Sequence, residues 1–304
     1  MKKGFTLVEM LVVIGILGIL LAVIVPMITN TDSARAVQCK ANLKNLANAV
    51  SSRLTEQSGD HKWYPLAGSI ESLGVSENDG DYEERYGEYV GWISWNSQNA
   101  YKGKVSSHRS QQSWITSAYN QNTEARDFCI TNGSLWRYMG GSRTSYVCPS
   151  HIKKMNPTMR PNWSYVMNGY FRYDTSQGGD RPQITYPGRT QEGIGSKAHR
   201  ILLFAELQWE NCLPDVNATP STAAGFANDC TLQYTGDQAE IIGFNHKTSN
   251  DLVAHIAFAD GHVDQIVMPK RKPLALNELR KLTEFLCTGE EYSMSDGRVE
   301  KINQ

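Results

Sequence analysis

The 304-residue chain has no excess of either charge. Thirty Lys and Arg stand against 31 Asp and Glu, a net charge of −1. No basic tract breaks this balance, so charge does not favour nucleic acid as a partner. Six cysteines lie at 39, 129, 148, 212, 230 and 287, yet no Cys-x-x-Cys pair occurs among them. A zinc ribbon or a thioredoxin-like site is therefore disfavoured. No nucleophile elbow, phosphate loop or zincin motif is present, and no enzyme activity is expected. A further lack is local. From Met10 to Ile28 no residue is charged, and nearly every side chain is Val, Ile, Leu, Met or Ala.

At about 1.5 Å per residue, that apolar run spans roughly 28 Å as a helix, close to the hydrocarbon thickness of a bilayer. Lys2 and Lys3 precede it, which obeys the positive-inside rule. A plain transmembrane anchor leaves Glu9 unexplained, because a carboxylate in an apolar span costs on the order of 3 kcal/mol and asks for a partner. A secretory signal peptide is a second reading, with Ala34-Arg35-Ala36 as a small-x-small cleavage site. The run exceeds the usual length of roughly 7–15 residues, and Asp32 and Arg35 sit awkwardly before that cut.

A third reading comes from resemblance. Gly4-Phe5-Thr6-Leu7-Val8-Glu9, with Pro26 downstream, resembles the N-terminus of type IV prepilins and type II secretion pseudopilins. The resemblance covers about the first 30 residues. It implies cleavage between Gly4 and Phe5 by prepilin peptidase and N-methylation of Phe5. It also implies assembly roles for Glu9 and Pro26. The new amine of Phe5 would meet Glu9 of a neighbouring subunit and set axial register, since a mispaired charge in an apolar core is costly. The implied partners are prepilin peptidase, other (pseudo)pilin subunits, an inner-membrane assembly platform and, before assembly, lipid. The implied location is the bacterial inner membrane, single-pass with the head in the periplasm, and then a periplasmic pseudopilus or cell-surface filament.

After Pro26 the pattern turns amphipathic. Ala36, Cys39, Leu43, Leu46, Ala47, Val50 and Leu54 make one apolar stripe. Lys40, Lys44, Asn45, Asn48 and Ser52 fall between them. This predicts one long helix from Phe5 to Gln57, bent or loosened near Pro26 and stopped by Ser58-Gly59-Asp60. The expected division is 1–4 leader, 5–29 membrane or filament-core helix, 30–58 amphipathic helix, and 59–304 extracytoplasmic head. Residues 60–145 show no sustained period. Within them Glu77-Asn78-Asp79-Gly80-Asp81 reads as a solvated turn or as a calcium loop, without the EF-hand glutamate. Calcium is the one candidate cofactor; otherwise none is expected. Trp92, Trp95 and Trp114 read as core or as a sugar-binding face. In an oxidising compartment, Cys212 with Cys230 and Cys129 with Cys148 are candidate disulfides. Cys39 and Cys287 read as free or packed.

Further on, Gly133-Ser134-Leu135-Trp136 reads as a helix start, and Tyr146-Val147-Cys148-Pro149-Ser150 as a short strand. Ser164–Tyr170 and Arg200–Glu206 read as strands, the second buried. A hairpin runs from Leu252 through Asp260-Gly261 to Val267, with Asp260-Gly261 as a two-residue type I′ turn. Pairing Ala259 with His262 would turn Leu252, Ala254, Ile256, Phe258, Val263 and Val267 toward the long helix. His255, His262 and Asp264 would occupy the other face. Phe258-Ala259-Asp260-Gly261-His262-Val263 is similar to the C-terminal motif of the H-X9-DG prepilin-type family. The blocks around Trp136, Cys148, Gly169 and Phe204 are similar too. The chain departs from that motif in spacing, because 13 residues separate His246 from Asp260.

His246, His255 and His262 with Asp260 and Asp264 have the residue types of a metal site, or of solvent-facing and hydrogen-bonded groups around a plain turn. Glu206, at a strand end without a placed partner, is weak ground for glycoside hydrolysis. Pro273 opens a last helix with Leu279, Leu282, and Phe285 or Leu286 on its face and Gly289 as its stop. The final fifteen residues read as loose. The sum is an α+β, pilin-like protein: a long protruding N-terminal helix packed on an antiparallel β-sheet head. Its expected function is that of a structural (pseudo)pilin subunit. The alternative is a membrane-anchored surface protein whose head binds glycan or another extracytoplasmic ligand.

Overall fold

The computed structural model describes residues 7–29, 31–59, 61–67, 91–93, 130–131, 133–154, 163–171, 189–206, 230–232, 234–235 and 239–302, with side chains of 21–31 outside the description. Helix α1 runs Leu7–Thr29 and helix α2 runs Thr31–Glu56. Pro26 lies inside α1, which continues past it to Thr29. The two helices differ in what they cover. From Leu7 to Leu20 the large apolar side chains of α1 are exposed. In α2 the expected stripe is buried from Cys39 through Leu43, Leu46, Ala47 and Val50 to Leu54, while Lys44, Asn45, Asn48 and Ser52 face out. Each buried Leu or Val on that stripe stabilises the head by roughly 1.5–3 kcal/mol relative to exposure. Asn42 is buried beside the stripe and donates to the carbonyls of Thr144 and Val147.

The stripe packs on a sheet of six strands among the described residues. These are β1 (Tyr165–Asn168), β2 (Leu202–Glu206), β3 (Thr231–Leu232), β4 (His246–Lys247), β5 (Asp251–Phe258) and β6 (Val263–Pro269). The order is β3-β1-β2-β5-β4, with β6 also on β5; only β1 and β3 pair in parallel. Strand β5 meets β2 near its end (Ala205 opposite Ile256) and β4 near its beginning (His246 opposite Val253). Strands β2 and β4 thus lie end to end along one edge of β5. The amide of Gly243 donates to the Glu206 carbonyl at 2.6 Å across that junction. The chemistry of the head gathers there.

The hairpin forms, but one residue out of the expected register. Ala257 faces Val263 and Ile256 faces Asp264. The loop has three residues, closed by the Phe258 amide donating to the His262 carbonyl. The reason is tertiary. The amides of Ala259 and Asp260 donate to the carbonyls of Ile201 and Ala198, the Tyr64 hydroxyl donates to the Ala259 carbonyl, and only Gly261 takes a positive φ, 92°. A one-residue shift changes which side chains share a face. Here the shift puts Val263, Gln265 and Val267 on the face of Ala257, His255 and Val253; that face, which also carries His246, is the one toward α2, where His246 meets Cys39. Leu252, Ala254 and Ile256 turn to the other side, reversing the expected orientation.

Helix α3 (Pro149–Lys154) replaces the strand expected around Cys148. Proline at the first helical position loses no internal hydrogen bond, and the Cys148 carbonyl accepts from the amides of His151 and Ile152. The last helix, α4 (Leu276–Thr288), buries Leu279, Leu282 and Leu286 and stops at Gly289, whose φ is 72°. Buried Asn168 ties it to the sheet by donating to the carbonyls of Leu202 and Cys287. The final segment is not loose. Strands β7 (Tyr292–Ser295) and β8 (Arg298–Lys301) form a hairpin around Asp296 and Gly297, both at positive φ. It docks on α4 through the Val299 amide, which donates to Glu278 at 2.6 Å.

Candidate functional site

Four side chains from four separate segments meet beneath α2. Cys39 comes from the α2 stripe, Cys148 from the residue that opens α3, Glu206 from the end of β2 and His246 from the start of β4. Their ligand atoms all lie within 4.8 Å of one another. Cys39 Sγ is 2.9 Å from Glu206 Oε1. His246 Nε2 is 3.3 Å from Glu206 Oε2 and 3.8 Å from Cys148 Sγ. Cys39, Cys148 and Glu206 are fully buried and His246 is 4% exposed. A shell surrounds them. Asn245 Nδ2 donates to Glu206 Oε2 at 3.1 Å, and the Tyr165 hydroxyl lies 3.5 Å from Cys39 Sγ. The His255 ring packs on His246 with centroids 4.5 Å apart, and among the described residues its buried Nδ1 has no hydrogen-bond partner.

Burial opposes charge here, so ionisation depends on the neighbours. Desolvation pushes the Glu206 carboxyl up, but the His246 imidazolium and hydrogen bonds from it and both thiols outweigh this and lower it to about 2. Desolvation pulls His246 down, and the Glu206 carboxylate raises it to about 10. Burial first, then the His246 charge, lowers His255 to about 4. Burial also drives the Cys39 thiol well up. By itself the cluster is an imidazolium–carboxylate pair with two thiols hydrogen-bonded around it. Two sulfurs, an imidazole and a carboxylate are also a donor set suited to a transition metal.

The other expected residues are distributed differently. Asp260 and His262 do not join His246; they pair with each other at 2.6 Å on the exposed hairpin tip, where His262 stacks on Phe258. Asp264 is exposed on β6. His246 and His262 therefore do not converge on a shared carboxylate. Gly261 has a packing role: its carbonyl accepts from Lys44 of α2 at 2.8 Å. Trp92 is fully buried and donates to the Cys230 carbonyl, so it offers no sugar-binding surface. Trp95, Trp114, the acidic stretch 77–81, Cys129, Cys212, Gly4 and Phe5 lie outside the described residues. Cys148 and Cys230, each a member of one candidate disulfide, are buried. Glu9 is in the first turn of α1 and exposed.

The joining of Cys39, Cys148, Glu206 and His246 was not legible from spacing. Each residue stood out separately, but Cys39 and Glu206 are 167 positions apart and Cys148 and His246 are 98 apart. The available signal was polarity in apolar settings: a cysteine on a core stripe and a glutamate closing a fully apolar strand.

Residues 1–25 match the prokaryotic N-terminal methylation motif. This supports a prepilin-like chain, a substrate of prepilin peptidase that is membrane-anchored before assembling with other pilin subunits, and a structural subunit rather than an enzyme. No curated protein and no solved structure matches the chain. Among the described residues no helix is long and apolar enough to cross a membrane.

Proposed function

We propose that the chain is a structural pilin or pseudopilin subunit, with a pilin-like fold and an H-X9-DG type of head. Prepilin peptidase cuts between Gly4 and Phe5, and Phe5 is methylated. The apolar segment 5–29 anchors the uncut chain in the inner membrane as a single span, with the head (59–304) in the periplasm. An assembly platform then moves the subunit into a type II secretion pseudopilus or type IV pilus-like filament.

The observation that carries this reading is the methylation motif at residues 1–25, leading into a helix whose apolar side chains the head leaves uncovered. An apolar helix left uncovered by the described head needs lipid or other subunits around it. Glu9, pairing with a neighbour's Phe5 amine, fixes the axial step. The burial of the α2 stripe under the sheet supports residues 30–58 as the link between this assembly helix and the head.

Intact mass and N-terminal analysis of full-length protein taken from membranes tests the reading. The expected product begins with N-methylated Phe5. A chain beginning at Val37, or an unprocessed Met1, would overturn it.

A further inference from the structure

We propose that Cys39, Cys148, Glu206 and His246 form a closed, four-ligand site for a tetrahedral transition-metal ion of the zinc(II) class, which clasps α2 to the sheet.

The donor set comes first. Two cysteine sulfurs, one imidazole nitrogen and one carboxylate oxygen complete a four-coordinate zinc site without water. Size comes second. Zinc bonds of roughly 2.0–2.3 Å set ligand–ligand edges of about 3.3–3.8 Å in a tetrahedron. The His246–Glu206 Oε2 and Cys148–His246 separations, 3.3 Å and 3.8 Å, fall in that range, and the Cys39 separation from the other carboxylate oxygen, 2.9 Å, is a little shorter. Burial comes third. All four residues are at most 4% exposed, the character of a structural site rather than one that keeps an open position for substrate.

The surroundings complete the site. Asn245 holds the Glu206 carboxylate by a hydrogen bond from outside the cluster, as groups behind metal ligands commonly do. The His255 ring walls the His246 imidazole, and Tyr165 approaches Cys39. Binding is balanced in protons. Each thiol releases one on becoming a thiolate, and the His246 imidazolium releases a third on presenting a lone pair, so three protons leave as one dication enters. The ion then links α2, the start of α3, β2 and β4. It would brace the transfer of load from the N-terminal helix to the head, although its binding does not depend on cleavage at Gly4.

The test uses full-length chain purified in detergent without chelator. Elemental analysis is expected to give about one zinc per chain in wild type and under about 0.1 in Cys39→Ser and in His246→Ala. Asn245→Ala, which keeps all four ligands, is expected to weaken zinc affinity roughly 10–100-fold. Cobalt(II) loading of the wild-type chain gives a readout that needs no variant. Intense visible bands of tetrahedral cobalt with a thiolate-to-metal charge-transfer band are expected. Wild-type chain that takes up neither metal would overturn the proposal. So would octahedral cobalt spectra, equal zinc in the Cys39→Ser, Cys148→Ser double variant, or a non-reduced mass showing a Cys39–Cys148 disulfide. A start at N-methylated Phe5 in the same sample keeps this result separate from the processing test.

Discussion

Two histidine–carboxylate pairs lie along strand β5, and they differ in nearly everything but chemistry. Beside its middle, where β2 gives way to β4, Glu206 and His246 are buried with two cysteines and Asn245 around them. Past its end, Asp260 and His262 keep side-chain exposures of 36% and 44%. The buried pair joins β2 and β4 to α2 and to the residue before α3; the exposed pair shapes a turn. The difference teaches that residue type nominates a site and enclosure decides it. In water, the attraction of two opposite charges is largely offset by their hydration and screened by salt. Under α2 that offset is gone, and each polar atom must find a protein partner or a metal.

Glu206→Leu is expected to break the comparison most strongly. In the metal-free chain it strands the His246 imidazolium in an apolar enclosure and removes the acceptor of Asn245 and Cys39. The expected loss is about 3–5 kcal/mol in denaturant unfolding of the full-length chain. A loss under about 1 kcal/mol would place the buried pair in the same class as the exposed one.

The parts of this contrast that the sequence disclosed are those with a local period or local turn chemistry. Cys39 to Leu54 on α2, the apolar β2, and Gly289 after α4 could be read from neighbours three, four or two positions away. The register of β5 with β6 could not. Asp260-Gly261 is a two-residue turn signal by itself, but Ile201, Ala198 and Tyr64 hold the backbone of Ala259 and Asp260 in a three-residue loop. The strand expected at Cys148 failed for another reason: Pro149 starts a helix as readily as it ends a strand. The last hairpin had a turn signal, Asp296-Gly297, and its polar strands still hide a buried Val299. The four-residue cluster has no local signature, because only the sheet order brings Glu206 and His246 to the same edge of β5.

Gly261→Ala sharpens the contrast at the exposed end, with an intermediate effect. A Cβ there would meet nothing closer than Ser51 Oγ at 3.6 Å, an ordinary contact. The cost is therefore conformational, from an L-residue held at a φ of 92°. A loss of roughly 1 kcal/mol or more is expected on thermal or denaturant unfolding. No measurable loss would mean that the bond from Lys44 to the Gly261 carbonyl does not hold the tip in this conformation.

The smallest expected effect is that of Asp260→Asn. Burial pushes the Asp260 carboxyl up, but the His262 amide and ring, with His199 nearby, outweigh it and hold the group below its usual value. The Tyr64 hydroxyl also faces it, and it stays protonated at neutral pH, with burial raising it to about 12. A carboxyl depressed in the folded state adds stability above its unfolded pKa of about 4, and that stability is lost as pH falls through the lower folded value. Asparagine keeps an oxygen for the His262 amide and removes only the charge. Wild type should therefore exceed Asp260→Asn by about 0.2–1 kcal/mol near neutral pH, and less at high salt. The gap should close below about pH 4. Unfolding curves of the two chains at several pH values decide it. A gap that persists in acid would assign the contribution of Asp260 to the shape of the turn rather than to its charge.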